Sequence, residues 1–416
     1  MTSWSTPSAP GPISGDLHIP GSKSATARAY VLAALADGPS VLTGVLRARD
    51  TDLMRAGLAA LGVGFEELDD TAVRVIPPTQ FTGGRTIDAG LSGTVARFLP
   101  PLAATSDATT TFVGDPAMAT RPVEPLLRAL TGLGATVTGT HVPFAIAGPI
   151  AGGGVDVDSS GSSQFLSALL LIGARLPEGL VVRETSGHMP SRPHVDMTAA
   201  MLRERGVDVG ESDGTWRVAP GPIAARDATI EPDLTNTATF LAAALATGGR
   251  LSTPWPALSV QPQGAVLDVL RAFGAEVTVS DGVLTVAGPA DLPGVDVDLH
   301  AVSELTPAVA ALATLASTPS RIRGVAHIRA HETDRLAALE RELNGLGGVV
   351  RQTDDGLLIE PAPLHAGPFA TYADHRMAHA GALVGLRVAG ITLDDVACTS
   401  KTMPDFADRW SSLVGG

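Results

Sequence analysis

The sequence predicts a mixed α/β (α+β) fold arranged as two domains. An amphipathic stretch that ends in a glycine, followed by two alternating segments around a polar turn, occurs five times at near-equal intervals. A segment rich in proline and glycine, Pro220-Gly221-Pro222, precedes Glu231-Pro232-Asp233 near the midpoint. We therefore expect two globular halves of about three repeats each rather than a solenoid, whose repeats are shorter and lack these strand pairs.

Each repeat is expected to contain a helix that ends at its glycine and a hairpin that follows. The glycine suits the left-handed conformation at a helix end, and turns such as Asp213-Gly214 and Asp281-Gly282 suit two-residue hairpin connections. The glycines and their hairpin segments are Gly62 with 63–76, Gly134 with 135–147, Gly206 with 207–218, Gly274 with 275–287 and Gly347 with 348–359.

A second, more apolar helix is expected in each repeat. Ala29 to Ala36 forms the first of these helices, after a short strand and a turn of small residues. The others are predicted at Gly93 to Ala104, Ser163 to Ala174, Thr235 to Ala246 and Glu304 to Ala316.

The repeats also predict the domain boundaries. About three fall within residues 21–231, but only two and a half follow residue 231. We expect the strand Ile13 to Ile19 to complete the second half by pairing beside the C-terminal segment. Domain 1 is then 1–20 with 232–416, domain 2 is 21–231, and the two chain crossings between them predict a hinge.

Composition limits the possible functions. The formal charge of −14 over 416 residues argues against general binding of nucleic acid or anionic membranes, which requires a broad basic surface. No apolar run approaches the length of a membrane span, and the single cysteine excludes an internal disulfide. Met1 to Pro12 lacks the features of a secretion signal and is expected to be a loose tail. We expect a cytoplasmic monomer.

Only two of the 29 basic residues are lysine, Lys23 and Lys401. Each lies beside small hydroxyl residues, in Gly21-Ser22-Lys23-Ser24 and Thr399-Ser400-Lys401-Thr402. A drift from lysine to arginine in a GC-rich genome would explain the scarcity but not these surroundings. Because an ammonium is a compact charge that gives up a proton more readily than guanidinium, the two lysines are candidate site residues.

The segment from Gly21 to Arg28 follows a strand and opens a helix, an arrangement that favours anion binding at the helix N-terminus. Ordinary capping explains Ser22 and Lys23 equally well when the segment is taken alone. Similar turns recur at Leu91-Ser92-Gly93-Thr94 and at Ser159 to Gln164. This recurrence favours a site that supplies many donors to an anion.

Further cations stand beside polar groups in Arg121-Pro122, His331-Glu332-Thr333-Asp334-Arg335 and Asp374-His375-Arg376. Glu332 and Arg335 could alternatively form a surface ion pair at i, i+3, which contributes only a few tenths of a kcal/mol. His375 and His379 have a metal-ligand spacing, but no third ligand is visible, so no metal and no cofactor are expected.

Taken in order, these motifs resemble those of the 5-enolpyruvylshikimate-3-phosphate synthase (3-phosphoshikimate 1-carboxyvinyltransferase) family, from about Gly15 to Asp408. The resemblance implies the two-domain enolpyruvyl transferase fold, each domain having three βαβαββ-type units. It also implies transfer of the enolpyruvyl group of phosphoenolpyruvate to the 5-hydroxyl of shikimate 3-phosphate, with release of phosphate. Glyphosate is the family's inhibitor at the phosphoenolpyruvate position.

The resemblance also implies roles for individual residues. The catalytic groups would be Lys23, Glu304 beside the 5-hydroxyl, and Glu332 as proton carrier at the methylene carbon. Shikimate 3-phosphate would contact Lys23, Ser24, Arg28, Ser162, Ser163, Gln164, Ser191, Glu304 and His331. Phosphoenolpyruvate would contact Lys23, Gly93, Thr94, Arg121, Gln164, Arg335, Arg376 and Lys401.

The sequence departs from the common family pattern at Leu91, His194, Glu304, His327 and His331, choices that resemble those of actinobacterial members. These departures put individual ligand contacts in question but not the reaction.

Two other functions fit the sequence less well. UDP-N-acetylglucosamine enolpyruvyl transferases typically carry Lys-Asn near the start and a cysteine before the Arg-Pro pair. Here the corresponding segments are Lys23-Ser24 and the cysteine-free loop Gly114 to Thr120, while Cys398 lies far along the chain. A binding protein without activity on the same frame is disfavoured, because every charged catalytic type is present.

Overall fold

The structure is a computed structural model that describes residues 3–415. Its α-helices are Lys23–Leu35 (α1), Arg49–Ala60 (α2), Gly93–Ala103 (α3), Glu124–Gly132 (α4), Gln164–Gly173 (α5), Pro193–Arg203 (α6), Leu234–Thr247 (α7), Gln263–Ala272 (α8), Thr306–Thr314 (α9), Arg335–Gly345 (α10), His375–Arg387 (α11) and Phe406–Gly415 (α12). Short 3-10 helices span Pro116–Thr120, His300–Leu305, Ala326–Ala330 and Val396–Lys401.

The strands are short, as in many small twisted sheets. They are Trp4–Ser5 (β1), Ser14–Asp16 (β2), Ser40–Thr43 (β3), Gly64–Glu67 (β4), Val73–Ile76 (β5), Thr86–Asp88 (β6), Thr110–Val113 (β7), Thr136–Thr138 (β8), Phe144–Ala147 (β9), Gly153–Val157 (β10), Leu180–Glu184 (β11), Val209–Ser212 (β12), Thr215–Val218 (β13), Ala228–Thr229 (β14), Arg250–Pro254 (β15), Glu276–Ser280 (β16), Val283–Ala287 (β17), Asp296–Asp298 (β18), Ser320–Arg323 (β19), Val349–Gln352 (β20), Leu357–Glu360 (β21), Gly367–Phe369 (β22) and Ile391–Leu393 (β23).

The chain divides into two compact units, Gly21–Glu231 and the pair of segments Met1–Pro20 with Pro232–Gly416. We call them the inserted unit and the split unit. The inserted unit contains three four-stranded sheets, with strand orders β14-β3-β5-β4, β6-β7-β9-β8 and β10-β11-β13-β12. In each sheet a parallel pair is followed by an antiparallel hairpin. Because parallel neighbours need a crossover connection, α3 joins β6 to β7 and α5 joins β10 to β11, whereas β14 pairs with β3 from the far end of the unit.

The split unit repeats the same plan with one variation. Two of its sheets have the orders β2-β15-β17-β16 and β18-β19-β21-β20, and the third is the three-stranded β1-β23-β22. The repeated βαβαββ plan, with three sheets in each unit, agrees with the fold predicted from the sequence.

The N-terminal expectations need correction. Ser14–Asp16 pairs in parallel with Arg250–Pro254, so it completes the first sheet of the split unit rather than a sheet at the C-terminal end. Trp4–Ser5 pairs instead with the strand Ile391–Leu393. Residues 3–12 are therefore not a loose tail, and residues 1 and 2 lie outside the described part. The buried Thr6, whose backbone N–H donates to Ile391 O at 3.0 Å, helps to hold this segment.

The helix ends also differ from some predictions. Helix α1 begins at Lys23 rather than Ala29, because the Ser22 side chain caps it by accepting from the Ala25 N–H. The predicted helix Glu304 to Ala316 divides into a 3-10 segment, His300–Leu305, and the α-helix Thr306–Thr314.

The predicted turn chemistry is confirmed. The five glycines of the repeats have φ between 78° and 104° (Gly62, Gly134, Gly206, Gly274 and Gly347). The hairpin residues Asp213 and Asp281 also have positive φ, each followed by a left-handed glycine. Two consecutive left-handed residues are what a type I′ hairpin turn requires.

One helix of every repeat is almost wholly buried, which positions the candidate site residues. Buried residues lie on all sides of these helices, as expected for helices surrounded by other elements. They are α1, α3 and α5 in the inserted unit and α7, α9 and α11 in the split unit. Among the helices of residues 3–415, none has both the length and the apolar character needed to cross a membrane.

Candidate functional site

In the inserted unit the predicted residues gather at the first turns of the buried helices. Lys23 begins α1, Gly93 begins α3 and Gln164 begins α5. Backbone N–H groups in a first turn lack intrahelical acceptors and carry the positive end of the helix dipole. Each such turn, together with the neighbouring hydroxyl side chains, offers donors suited to phosphate or carboxylate oxygens. We call these residues the inserted-unit cluster.

Lys23 has a carboxylate partner that the sequence did not reveal. Its Nζ lies 3.4 Å from Oδ2 of Asp50, a residue in the first turn of α2. The Asp50 side chain is only 3% exposed, whereas that of Lys23 is 21% exposed. Asp50 therefore holds the ammonium from the buried side and leaves part of it accessible.

Arg97 links two of the predicted substrate contacts. Its Nη1 donates to Oε1 of Gln164 at 2.9 Å and to Oγ of Ser162 at 3.3 Å, while Nε and Nη2 donate to Pro122 O. The guanidinium also lies 5.1 Å from the ring centroid of Phe165. Arg97 follows Gly93 by four residues and is not among the site residues predicted from the sequence. Its contacts make it a residue that orients Gln164.

Gly93 lies against Arg121. A Cβ atom at position 93 would stand 2.9 Å from Arg121 Nη2 and 3.1 Å from Arg97 Nη1. Arg121 Nη1 donates to Leu91 O at 2.9 Å, and the Thr94 hydroxyl lies 3.0 Å from that of Ser92. The absence of a side chain at Gly93 therefore makes room for two guanidinium groups.

Arg28 has different surroundings from those expected of a ligand contact. It is 1% exposed, and its N–H groups donate to Thr198 Oγ1, Ser24 O and His194 O. Burial lowers the pKa of Arg28. These bonds join α1 to the residues around α6, so Arg28 holds the wall of the cluster.

The remaining predicted residues of this unit lie on loops before helices. Ser163 immediately precedes α5 and is 3% exposed. Ser191 lies two residues before α6 and has a φ of 50°. A left-handed serine is a strained conformation of the kind that accumulates at functional sites.

In the split unit, the fully buried Arg335 is the centre of a second cluster. All five of its N–H groups have partners: Nε and Nη2 reach Asp374, Nη1 reaches Glu304 and His331, and Nη2 also reaches Glu332. The distances run from 2.7 Å to 3.2 Å. We call these five residues, with Arg376 and Lys401, the split-unit cluster.

Glu332 is held between two cations. Its Oε2 accepts from Arg335 Nη2 at 2.9 Å, and its Oε1 forms an ion pair with the Lys401 ammonium. The side chains of Glu332 and Lys401 are 10% and 7% exposed. A carboxyl group and an ammonium in direct contact are a pair between which a proton can be exchanged.

Glu304 lies at the more accessible side of the same cluster. Its side chain is 30% exposed, and Oε2 accepts from Arg335 Nη1 at 2.9 Å. Burial favours the protonated form, but the charges around the group, above all that of Arg335, outweigh burial and hold the pKa of Glu304 well below its usual range. Glu304 is therefore ionised at neutral pH.

His331 lies between two other members of this cluster. Its Nδ1 is 3.0 Å from Arg335 Nη1 and 3.6 Å from Glu304 Oε1. The ring also makes an edge contact with His327, whose pKa falls to about 4 through burial and the nearby His300.

The histidine pair of α11 does not form a metal site. The rings of His375 and His379 lie 5.8 Å apart, and among residues 3–415 no group of three or more potential ligands is placed to bind a metal ion. Burial raises the pKa of the Cys398 thiol to about 12, which disfavours the thiolate form.

A strained turn delivers Asp374 to Arg335. Tyr372 and Ala373 both have a φ of 55°, and Asp374 then caps α11 while its side chain is fully buried. The Tyr372 hydroxyl donates to Oε1 of Glu342 at 2.6 Å, which fastens the turn. Two successive left-handed residues without glycine are costly, about 1–2 kcal/mol each.

Replacing Ala373 with glycine should stabilise the protein by about 0.5–1 kcal/mol, because glycine adopts this backbone without the Cβ clash. Denaturant unfolding of both proteins measures the change. Ala378→Gly, in the right-handed interior of α11, is the matched control and should destabilise by about 1 kcal/mol or more. Equal destabilisation by the two changes would contradict the assignment of strain to Ala373.

Comparison with known proteins places this fold among the enolpyruvyl transferases. An EPSP synthase of Acinetobacter baumannii superposes with a TM-score of 0.82 at 24% identity, covering 99% of this chain and 98% of that one. A second structure of the enzyme from that organism gives a TM-score of 0.78 at 24% identity, with coverages of 98% and 97%. The enolpyruvyl transferase NikO of Streptomyces tendae gives 0.76 at 19% identity, with coverages of 98% and 96%.

The family follows from the sequence match. The pattern of EPSP synthase (3-phosphoshikimate 1-carboxyvinyltransferase) fits residues 7–410, so the chain belongs to the EPSP synthase family. Its activity is transfer of the enolpyruvyl group of phosphoenolpyruvate to the 5-hydroxyl of shikimate 3-phosphate, with release of phosphate. This reaction belongs to the shikimate pathway of aromatic amino-acid biosynthesis.

Proposed function

We propose that the two clusters divide the work of this reaction. The inserted-unit cluster supplies donors to the anionic groups of the substrates, and the split-unit cluster carries the proton transfers. The observation that supports this division most directly is the position of Glu332 between Lys401 and Arg335. The inserted-unit cluster instead offers helix N-termini, hydroxyl groups and cations.

The reaction requires two opposite proton movements at the methylene carbon of phosphoenolpyruvate. In the addition step, the 5-hydroxyl oxygen bonds to C2 while its proton leaves, and the methylene carbon gains a proton. In the elimination step, the new methyl group loses a proton and the C2–O bond to phosphate breaks. One group that first gives and then takes a proton serves both steps. We assign that role to Glu332, with the Lys401 ammonium supplying the proton that Glu332 passes to the methylene carbon and taking a proton back after elimination.

Glu304 is assigned to the 5-hydroxyl. An ionised carboxylate accepts a hydrogen bond from a hydroxyl group and attracts its proton as the oxygen attacks. The positive neighbours that keep Glu304 ionised also keep it oriented. Lys23 is assigned to the negative charge of the substrate's phosphate group, which grows as the C2–O bond breaks, since its ammonium side chain is 21% exposed and accessible to substrate.

The binding contacts are proposed in two sets. Shikimate 3-phosphate is held by Lys23, Ser24, Ser162, Ser163, Gln164, Ser191 and His331, and phosphoenolpyruvate by Lys23, Gly93, Thr94, Arg121, Gln164, Arg376 and Lys401. Arg28 and Arg335, which were predicted as direct contacts, are proposed to act mainly by positioning their neighbours. Their donors are already used within the protein.

The test of substrate identity is a phosphate-release assay with phosphoenolpyruvate and either shikimate 3-phosphate or UDP-N-acetylglucosamine. We expect release only with shikimate 3-phosphate. Release only with the nucleotide sugar would reject the proposed acceptor, and release with neither would favour the inactive binding protein. Chromatography with light scattering tests the proposed monomer, and fractionation of the native cells tests the proposed cytoplasmic location.

Gly93→Ala should weaken phosphoenolpyruvate binding and glyphosate inhibition together. The added methyl group would stand 2.9 Å from Arg121 Nη2, so the guanidinium proposed to bind both anions must shift. We expect the inhibition constant of glyphosate and the KM of phosphoenolpyruvate each to rise about tenfold or more. A tenfold rise corresponds to a loss of about 1.4 kcal/mol in binding free energy. Gly161→Ala, where a Cβ would meet only ordinary contacts beyond 3.7 Å, is the control. Unchanged glyphosate sensitivity in Gly93→Ala would remove Gly93 from the proposed pocket.

A further inference from the structure

Arg335 and Arg376 are both buried in the split unit, but they differ in how far neighbouring carboxylates neutralise their charges. Three carboxylates surround Arg335, so its charge is more than neutralised by its own neighbours. Arg376 donates from Nη1 to the neutral amide oxygen of Asn236 at 2.9 Å. The carboxylate that approaches it, Glu304, lies 3.7 Å from Nε, and among residues 3–415 that Nε has no hydrogen-bond partner.

Asn236 is fixed by the start of its helix. It lies in the first turn of α7 and is 2% exposed. Its backbone N–H donates to Oδ1 of Asp233, the cap of the helix, at 2.9 Å, and the Asp233 N–H donates to Pro20 O at 3.0 Å. Because the backbone is held on both sides, the amide oxygen presents a fixed point for the Arg376 guanidinium.

We infer that Asn236 is a positioning residue for phosphoenolpyruvate binding. It orients Arg376 with a neutral acceptor, which adds no negative charge beside the guanidinium and so leaves more of its positive charge for the anionic substrate. The inference rests on the proposed role of Arg376 as a phosphoenolpyruvate contact. It extends that role, since Asn236 itself touches no substrate and acts only through Arg376.

The neutral charge of the Asn236 side chain distinguishes this role from a purely structural contact. An aspartate has the same shape and would still accept from Arg376 Nη1, but its charge would compete with the substrate for the guanidinium. An aspartate is also tolerated near a helix N-terminus, where the dipole favours negative charge. Asn236→Asp should therefore fold and keep the arginine in place while weakening anion binding.

The experiment compares kinetics of Asn236→Asp, Asn236→Ala and the control Thr235→Asp. Thr235 lies in the same helical turn but is partly exposed, and it is Asn236 that contacts Arg376. The Thr235→Asp substitution therefore adds the same charge to this turn without changing the residue that contacts Arg376. We expect Asn236→Asp to raise the KM of phosphoenolpyruvate about tenfold or more, which is at least as much as Asn236→Ala does. The KM of shikimate 3-phosphate should change less than about twofold, and Thr235→Asp should resemble the wild type.

The outcomes separate the inference from the proposed function. If the contact were only structural, Asn236→Asp would restore what Asn236→Ala loses, and that result would overturn the inference. If Asn236→Asp does not fold, a normal KM of phosphoenolpyruvate in Asn236→Ala would overturn it equally. Arg376→Gln tests the underlying role: a normal KM there rejects the proposed function of Arg376, whereas an impaired Arg376→Gln with a normal Asn236→Asp rejects only the inference.

Discussion

Lys23→Met is expected to lower kcat about a thousandfold while substrate binding weakens as well, because the ammonium is assigned to charge that develops in the transition state. Methionine keeps the length and the apolar stem of the lysine side chain but removes its charge. Initial-rate kinetics with both substrates measure the loss. Activity near that of the wild type in the folded variant would contradict the assignment.

The same substitution should also lower the free energy of unfolding. Asp50 is 3% exposed and would lose the cation that lies 3.4 Å away. Since the lysine side chain is itself partly in solvent, we expect a loss of about 1–3 kcal/mol, less than for a fully buried ion pair.

Asp50→Asn provides the matched control. Added to Lys23→Met, it removes the uncompensated carboxylate and should recover much of the lost stability without recovering activity. A double-mutant cycle measures both effects, with unfolding curves and kinetics of the two single variants and the double variant. If activity returned with stability, Lys23 would be a structural residue and not a catalytic one.

Glu332→Gln is expected to lower kcat by about a hundredfold to ten-thousandfold, the usual contribution of a general acid or base. Glutamine preserves the shape of the side chain and can still accept from Arg335. It leaves the charges of Lys401 and Arg335 less neutralised, so the KM of phosphoenolpyruvate should stay the same or fall. A lower kcat with an unchanged or lower KM identifies loss of the chemical step rather than of binding.

Exchange of solvent deuterium into the methylene group of phosphoenolpyruvate gives a direct measurement, because it reports the proton transfers assigned to Glu332. Exchange should fall in parallel with kcat. Glu340→Gln, in the helix α10 that follows Glu332, is the control, since the Glu340 carboxylate accepts from Gln352 and not from a cation. Normal exchange in Glu332→Gln would assign the methylene proton to another group.

The fold could be predicted from the sequence because its signals are local and repeated. A left-handed glycine at each helix end and Asp-Gly hairpin turns depend only on backbone preferences of adjacent residues. The predicted partner of the strand Ile13 to Ile19 was wrong, since the strand pairs with Arg250–Pro254 and not beside the C-terminal segment. By sequence criteria, any exposed strand edge of the split unit could accept it equally well. Register and partner depend on packing that no local pattern records.

The sequence predicted those residues of the candidate site that lie in short motifs. Lys23, Glu332 and Arg376 could be found from their polar neighbours along the chain. Asp50 and Asn236 gave no such signal, since an aspartate or asparagine in a first helical turn is ordinary capping chemistry. Their contacts, with Lys23 and Arg376, join residues 27 and 140 positions apart.

The sequence by itself determined the repeats, the two-domain organisation expected from them, the family and the kinds of charged group available for catalysis. Only the tertiary structure decided which charges are neutralised. Arg335 is saturated by three carboxylates, while Arg376 is held by a neutral amide. The physical reason is that electrostatic energy depends on distance and burial, and both are set by how distant segments pack and not by their order in the chain.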